Sequence, residues 1–340
     1  MSSLRDAMTH LLAGRSLSED EAVEAFGDVL DARAPDVLVA GFLVALRING
    51  ESAAELAGAA RAMLARARPL DLGNPLLDTA GTGGDNAGTV NISTGAALIA
   101  AAVGVRVAKH GNRAISGRIG AADLLERMGV RIDLDPAGLR HCLDQSGICF
   151  VFAPAYHPVM ARLAILRREL GIRTLFNLLG PLVNPSRPSR QLLGVAEPRL
   201  MRPMVEALAS LGVDHAMVVH GEDGLDEISC IAPTRVAELR GGKIDFFQIE
   251  PERFGMRREA IGALATSGPD HAVEVLHRAL AGEGGVANRV LALNAGAAIY
   301  LGGKAPTLEA GIAQAGAILA EGKALEVLER MRRASQEESA

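Results

Sequence analysis

Two patterns of apolar and polar positions divide the chain. Residues 1 to about 70 read as a helical segment of four short helices. Ser18 stands three before Glu21 and Ser52 three before Glu55, and each pair fits a capping box that satisfies helix N–H donors reciprocally. Pro35 suits the first turn of a further helix, Asp36 to Ile48. Val37, Leu38, Phe42, Leu43 and Leu46 make that helix apolar on more than one face, so it needs more than one neighbour.

From Pro75 onward, apolar strands alternate with helices, which predicts a mainly parallel sheet. The expected strands are Leu76 to Thr79, Val105 to Ala108, Cys149 to Phe152, Gln191 to Val195 and Ala216 to Val219. A helical insert from about His157 to Leu170 separates the third from the fourth. Val236 to Arg240 and Lys243 to Ile249 flank Gly241-Gly242 and read as a hairpin at an edge of the sheet. Three helical runs follow, near 270–281, 285–301 and 307–333, and only Ser335 to Ala340 looks frayed. The fold class is therefore α/β, a small α-helical domain plus a large α/β domain with a mainly parallel central sheet.

Composition narrows the partners. The 340 residues can bury a substantial core, and no apolar run reaches the ~18 residues of a membrane span. With no signal-peptide pattern at the N-terminus, a cytoplasmic location and no membrane partner are expected. Cys142, Cys149 and Cys230 lack C-x-x-C spacing, which argues against a disulfide framework or a structural zinc. A net charge of -5 does not suit nucleic-acid binding through the overall field, leaving a small anion as the expected ligand.

The candidate chemistry gathers between Asp78 and Asp123. Gly81, Gly83 and Gly84 in Asp78-Thr-Ala-Gly-Thr-Gly-Gly-Asp85 can take positive φ and turn backbone N–H groups around an anion. Thr94 to Val103 reads as a helix whose N-terminus faces the same pocket, and Lys109 is expected at the carboxyl end of the strand Val105 to Ala108. Neither G-x-x-x-x-G-K-[ST] nor a strict G-x-G-x-x-G is present. Glycines alone could make only a tight turn, but Asn91, Ser93, Thr94 and Lys109 converge on the same edge. Asp226 and Glu227 follow another strand at the ligand edge and would suit Mg²⁺, although two adjacent acids are more often simply solvated. On the insert, Val159, Met160, Leu163, Leu166 and Leu170 form a stripe with Arg167 on its border. An inward arginine needs an anion, whether a ligand or a structural carboxylate.

These motifs resemble those of a known family. GTGGD, NxST, KHGNR, GLDEIS and the run Glu169 to Pro185 together look like the pattern of the anthranilate phosphoribosyltransferases, over nearly the whole chain. The resemblance implies a nucleoside phosphorylase/phosphoribosyltransferase-type fold with a discontinuous small domain, 1–74 with about 156–182, and an α/β domain, 75–155 with about 183–340. It implies transfer of a phosphoribosyl group from phosphoribosyl pyrophosphate to the amine of anthranilate in tryptophan biosynthesis, and a dimer. The apolar surface left on the four N-terminal helices is itself expected to form a homodimer, the alternative being that it covers the α/β domain within one chain. Carried over residue by residue, it implies a donor site of Gly81, Gly84, Asp85, Thr89, Asn91, Ser93, Thr94, Lys109, Asn112, Arg113, Ser116, Gly117 and Ala121. The acceptor would meet Gly81, His110, Asn112 and Arg167. Lys109, Asp226 and Glu227 would carry the catalysis, and Ser93, Asp226 and Glu227 would hold magnesium, expected as two ions per subunit because neighbouring side chains point apart. The chain departs from the pattern at Arg118-Ile119-Gly120, where members commonly read Lys-Ser-Gly, and Ile119 offers no side-chain donor. Two alternatives are a pyrimidine nucleoside phosphorylase-like enzyme and a non-catalytic nucleic-acid-binding relative.

Overall fold

A computed structural model describes residues 3–85, 88–114, 119–256 and 264–337. Four helices open the chain: α1 (Ser3–Leu12), α2 (Glu19–Leu30), α3 (Asp36–Asn49) and α4 (Ala53–Leu64). Both capping boxes form, with the Ser18 and Ser52 side chains accepting from the amides of Glu21 and Glu55 and the glutamates reaching back. Pro35 occupies the N-cap of α3, one position ahead of its first turn.

The α/β part alternates β1 (Leu77–Gly81), α5 (Ile92–Ala102), β2 (Val107–Gly111), α6 (Ala121–Arg127), α7 (Pro136–Ser146) and β3 (Ile148–Phe152). The insert supplies α8 (Ala153–Tyr156) and α9 (Met160–Leu170), and the chain returns through β4 (Arg190–Gly194), α10 (Met201–Ser210), β5 (His215–Gly221) and the hairpin β6 (Thr234–Arg240) and β7 (Lys243–Ile249). Helices α11 (Pro269–Leu280), α12 (Gly285–Leu301), α13 (Leu308–Ala320) and α14 (Lys323–Gln336) close it. The sheet order is β3-β2-β1-β4-β5-β6-β7, parallel from β3 to β5 and antiparallel through the hairpin, which forms one edge as expected.

Three local expectations are corrected. The run 307–333 is two helices, because Gly322 adopts φ 66° and turns the chain between α13 and α14. Ser335 is not frayed: it is buried in the last turn of α14 and its Oγ accepts from the Arg131 amide at 3.0 Å. Strand β2 runs on to Gly111, so Lys109 lies within the strand and not beyond its end.

Apolar side chains cover both faces of the sheet, as a parallel sheet requires. On one face α5 and α12 pack on Leu77, Val107, Leu192 and Met217, with α13 and α14 packed against those helices in the same core. On the other, Leu193, Val195, Ala216 and Val218 meet the N-terminal helices, α10 and Leu163 and Leu166 of α9. Helix α9 also touches α3. Neighbouring strands leave β1 in opposite sequence directions, toward β2 on one side and β4 on the other. The carboxyl ends of β1 and β4 therefore border a crevice of the kind where open α/β sheets bind ligands.

Candidate active site

Asp226 sits directly over that crevice. A Cβ built on Gly194, the last residue of β4, would overlap the main-chain carbonyl of Asp226, and one on Gly81, the last residue of β1, would overlap its Oδ2. Gly81 is therefore required by close approach and not by backbone sign, since only Gly83 (φ 64°) and Gly84 (φ 89°) of the three loop glycines adopt positive φ. The Gly83 amide donates to Asp226 Oδ2 at 2.7 Å. At Gly84 the space beside Cα is filled by the guanidinium of Arg173. Arg173 was not among the residues expected from the sequence. Its place in the run Glu169 to Pro185 was the available signal.

The adjacent acid joins a second set of groups. Ser93, in the first turn of α5, donates its otherwise unpaired helix N–H to Glu227 Oε1 at 3.1 Å. Lys109 Nζ donates to Ser93 Oγ at 3.1 Å and to the Thr79 carbonyl. Burial, followed by the charge of Asp85, pushes the Asp226 carboxyl up to about 6, against the pull of the Gly83 N–H. Burial and the charge of Asp226 push Glu227 well above the usual carboxylate range. Lys109 is only 2% exposed, and burial lowers its pKa while Asp78 and Glu227 oppose that shift.

Three buried or half-buried acids, Asp85, Asp226 and Glu227, thus crowd together within reach of Lys109 and Arg173. Among the described residues no cluster of three His, Cys, Asp or Glu side chains forms a closed metal cage. Two carboxylates and a serine hydroxyl instead suit Mg²⁺, which binds a few protein oxygens and keeps waters and substrate phosphate oxygens as its other ligands. The donor set and the crowding of its charges fit such an ion.

Residues 73–325 match the glycosyl transferase family, a/b domain, and residues 5–67 match the glycosyl transferase family, helical bundle domain. The anthranilate phosphoribosyltransferase of Rubrobacter xylanophilus is 46% identical over 334 residues, 98% of each chain. That of Halorhodospira halophila is 44% identical over 96% of each. This chain belongs to the anthranilate phosphoribosyltransferase family. The fold agrees: the crystal structure of anthranilate phosphoribosyltransferase from Thermus thermophilus superposes with a TM-score of 0.92 at 43% identity, covering 99% of this chain and 100% of that one. The Saccharomyces cerevisiae enzyme in complex with phosphoribosyl pyrophosphate and Mg gives 0.88 at 28% identity, covering 98% of both.

For a member of the anthranilate phosphoribosyltransferase family, the remaining site candidates fall into two groups. Thr94 and Asn91 have unused side-chain capacity among the described residues. Thr94 Oγ1 is buried without a partner among the described residues, and Asn91 donates to the Ile119 carbonyl at 3.1 Å while its own Oδ1 is unsatisfied. Asp85 is half-buried and its charge reaches Asp226. Thr89 is bridged by backbone to Ala265 beside the loop. Ile119, the departing residue, packs its side chain against the α/β core.

His110 Nδ1 meets the Gly180 carbonyl at 3.0 Å, which makes that nitrogen the donor and leaves Nε2 unprotonated, buried and unpartnered among the described residues. Burial, with a contribution from His157, lowers its pKa to about 3, so the ring is neutral. The two rings pack edge to face at 5.4 Å. Beneath them Asp78 is fully buried and accepts from Asn184 Nδ2 at 2.9 Å and the His110 amide at 3.1 Å. Arg167 is half-buried on α9, burial lowers its pKa, and no carboxylate partners it among the described residues.

The last candidates are held by near neighbours at the surface or at a helix start. Arg113 is exposed, bound to Glu126 (2.8 Å) and Asp123 (3.2 Å) and stacked over Phe152. Asn112 is exposed, and its side-chain oxygen accepts from the Arg113 amide at 2.7 Å. Ala121 begins α6. Ser116 and Gly117, with Arg118, lie outside the described residues.

Proposed function

We propose that the protein transfers the phosphoribosyl group of phosphoribosyl pyrophosphate to the amine of anthranilate, releasing pyrophosphate, as a step of tryptophan biosynthesis. The observation that carries this reading is the meeting of Lys109, Ser93, Glu227 and Asp226 at the switch point of the sheet. Ser93, Asp226 and Glu227 would hold Mg²⁺, which when bound neutralises charge on the diphosphate. Lys109, the loop N–H groups and the hydroxyl of Thr94 bind that leaving group and favour charge on it as the C1–O bond breaks. Gly81 and Gly84 let the loop lie close, with Asp85, Thr89 and Asn91 lining its approach.

Arg167 receives the acceptor carboxylate, for which a planar guanidinium is well shaped. Neutral His110 and Asn112 flank the aromatic ring. The amine is then aligned behind a ribosyl centre that loses its leaving group early, so positioning matters more than a strong base. Yeast structures of the relative hold 4-fluoroanthranilate as well as phosphoribosyl pyrophosphate and Mg, and chemistry of that kind suits the groups described here.

The same reading assigns two magnesium ions per subunit, a discontinuous helical domain of 1–74 with about 156–182, and a cytoplasmic homodimer. Val37 and Ile48 on α3, 81% and 79% exposed, supply apolar surface for a second copy. The deciding assay mixes the protein with anthranilate, phosphoribosyl pyrophosphate and Mg²⁺ and follows loss of the fluorescent amine, with thymidine and phosphate in parallel. Unchanged anthranilate fluorescence at micromolar enzyme rejects the reading.

A further inference from the structure

Arg173 stands where two parts of the crevice meet. Its backbone follows Gly171, the left-handed residue that ends α9, so it belongs to the same chain segment as Arg167. Its side chain crosses to the glycine loop, where Nη2 donates to the Thr82 carbonyl at 3.1 Å and the Gly83 carbonyl at 2.8 Å. The guanidinium carbon lies 2.5 Å from where a Cβ on Gly84 would be, so a side chain there would displace it. Its charge also acts on Asp226.

Peptide planarity turns these contacts into a constraint. In a trans peptide the carbonyl of one residue and the N–H of the next point in opposite directions. Holding the Thr82 and Gly83 carbonyls therefore aims the Gly83 and Gly84 N–H groups away from Arg173, and the Gly83 N–H is met by Asp226 at 2.7 Å. Without that anchor, loop glycines have little steric reason to keep one orientation.

We propose that Arg173 is a positioning residue that couples the acceptor site to the donor loop: it aims the loop N–H groups while its backbone continues from the helix bearing Arg167. Seating a carboxylate on Arg167 then steadies the N–H cradle for the diphosphate, and a bound diphosphate steadies α9. This rests on the transfer reaction proposed above and adds a residue and a linkage to it.

The experiment compares full-length native protein with Arg173→Met, which keeps the stem and loses the charge, and Arg173→Lys, which keeps charge and a donor. Native protein is first assayed with anthranilate and phosphoribosyl pyrophosphate; absence of turnover overturns the proposed reaction and the coupling with it. Given native turnover, Arg173→Met is expected to raise the donor KM about tenfold, within the usual range of coupling between sites, with a smaller change in kcat. The acceptor KM should lose its dependence on donor concentration, and Arg173→Lys should recover part of both effects. Native turnover together with a donor KM within twofold of native in folded Arg173→Met, or an unaltered donor–acceptor dependence, overturns the coupling alone. If the Met variant does not fold, the same two measurements on Arg173→Lys decide, with a severalfold rise in donor KM expected.

Discussion

The main chain of Asp226 closes directly over Gly194, leaving no room for a Cβ between them. The last residue of β4 thereby sets the position of the carboxylate that receives the Gly83 N–H. Gly194→Ala would have to move backbone and not merely a flexible side-chain end. It is expected to cost roughly 1–3 kcal/mol of stability, as overpacking does, and to reduce turnover more than tenfold. Thermal denaturation and steady-state kinetics check this, and native values of both would show that Asp226 is held by something else.

Arg167 has no carboxylate to lose among the described residues. Arg167→Ala is therefore expected to leave the thermal midpoint unchanged and to raise the acceptor KM by about one to two orders of magnitude, the worth of a charge-assisted contact of roughly 1.5–3 kcal/mol. An unchanged acceptor KM in titrations at saturating donor discards its role.

Lys109 serves stability as well as binding, because burial leaves Asp78 and Glu227 dependent on its charge. Lys109→Met should lower stability by several kcal/mol, as loss of one partner of a buried pair does at about 3–5 kcal/mol, together with donor use. Arg113→Ala breaks surface ion pairs worth about 0–1 kcal/mol and a stack over Phe152 worth about 0.5–1 kcal/mol, so its thermal midpoint should move little while the donor KM reports whether Arg113 leaves Glu126 to meet phosphate. Chemical denaturation of both variants tests the contrast, and equal stability would contradict it.

The carboxyls of Asp226 and Asp78 are pushed up to about 6 and Glu227 is raised further. Groups with folded-state values above their unfolded ones favour folding fully below the ordinary carboxylate pKa, and that contribution is lost as pH rises through about 6 and beyond. Added Mg²⁺ should offset the loss where the carboxyls are ionised. The expected outcome in calorimetry is a larger Mg²⁺-induced rise in thermal midpoint at pH 7.5 than at pH 5.5, and a pH-independent rise contradicts binding at these acids.

Val37 and Ile48 are eleven positions apart, which brings them within about 20° of each other around α3, and both are largely exposed. Val37→Glu combined with Ile48→Glu should convert a dimer to a folded monomer in light scattering. A native protein that is already monomeric at micromolar concentration removes the dimer.

Much of the frame was legible in the chain. Ser18 with Glu21 and Ser52 with Glu55 cap helices through bonds that span three residues, and apolar strands alternating with helices announce a parallel sheet. The limits of β2 were not legible, since Lys109 and His110 look like loop chemistry and become strand residues through pairing with Phe150 and Val151 of β3, while Asp78, Thr79 and Ser93 satisfy their polar groups. The single run 307–333 failed for a different reason: Gly322 fits a helix pattern until its left-handed φ is known.

By itself the sequence determined the local elements, the order of the motifs and the residue types able to hold a diphosphate, because propensity, capping and periodicity act over a few neighbouring residues. Only the tertiary structure decided that Gly81 and Gly194 make room for Asp226, that Arg173 fills the space beside Gly84, that His110 is neutral and that Arg113 faces outward. The physical reason is range. Close packing and desolvation depend on which atoms arrive from distant segments, such as the Asp226 carboxylate at an amide 143 positions earlier, and no local pattern encodes that arrival.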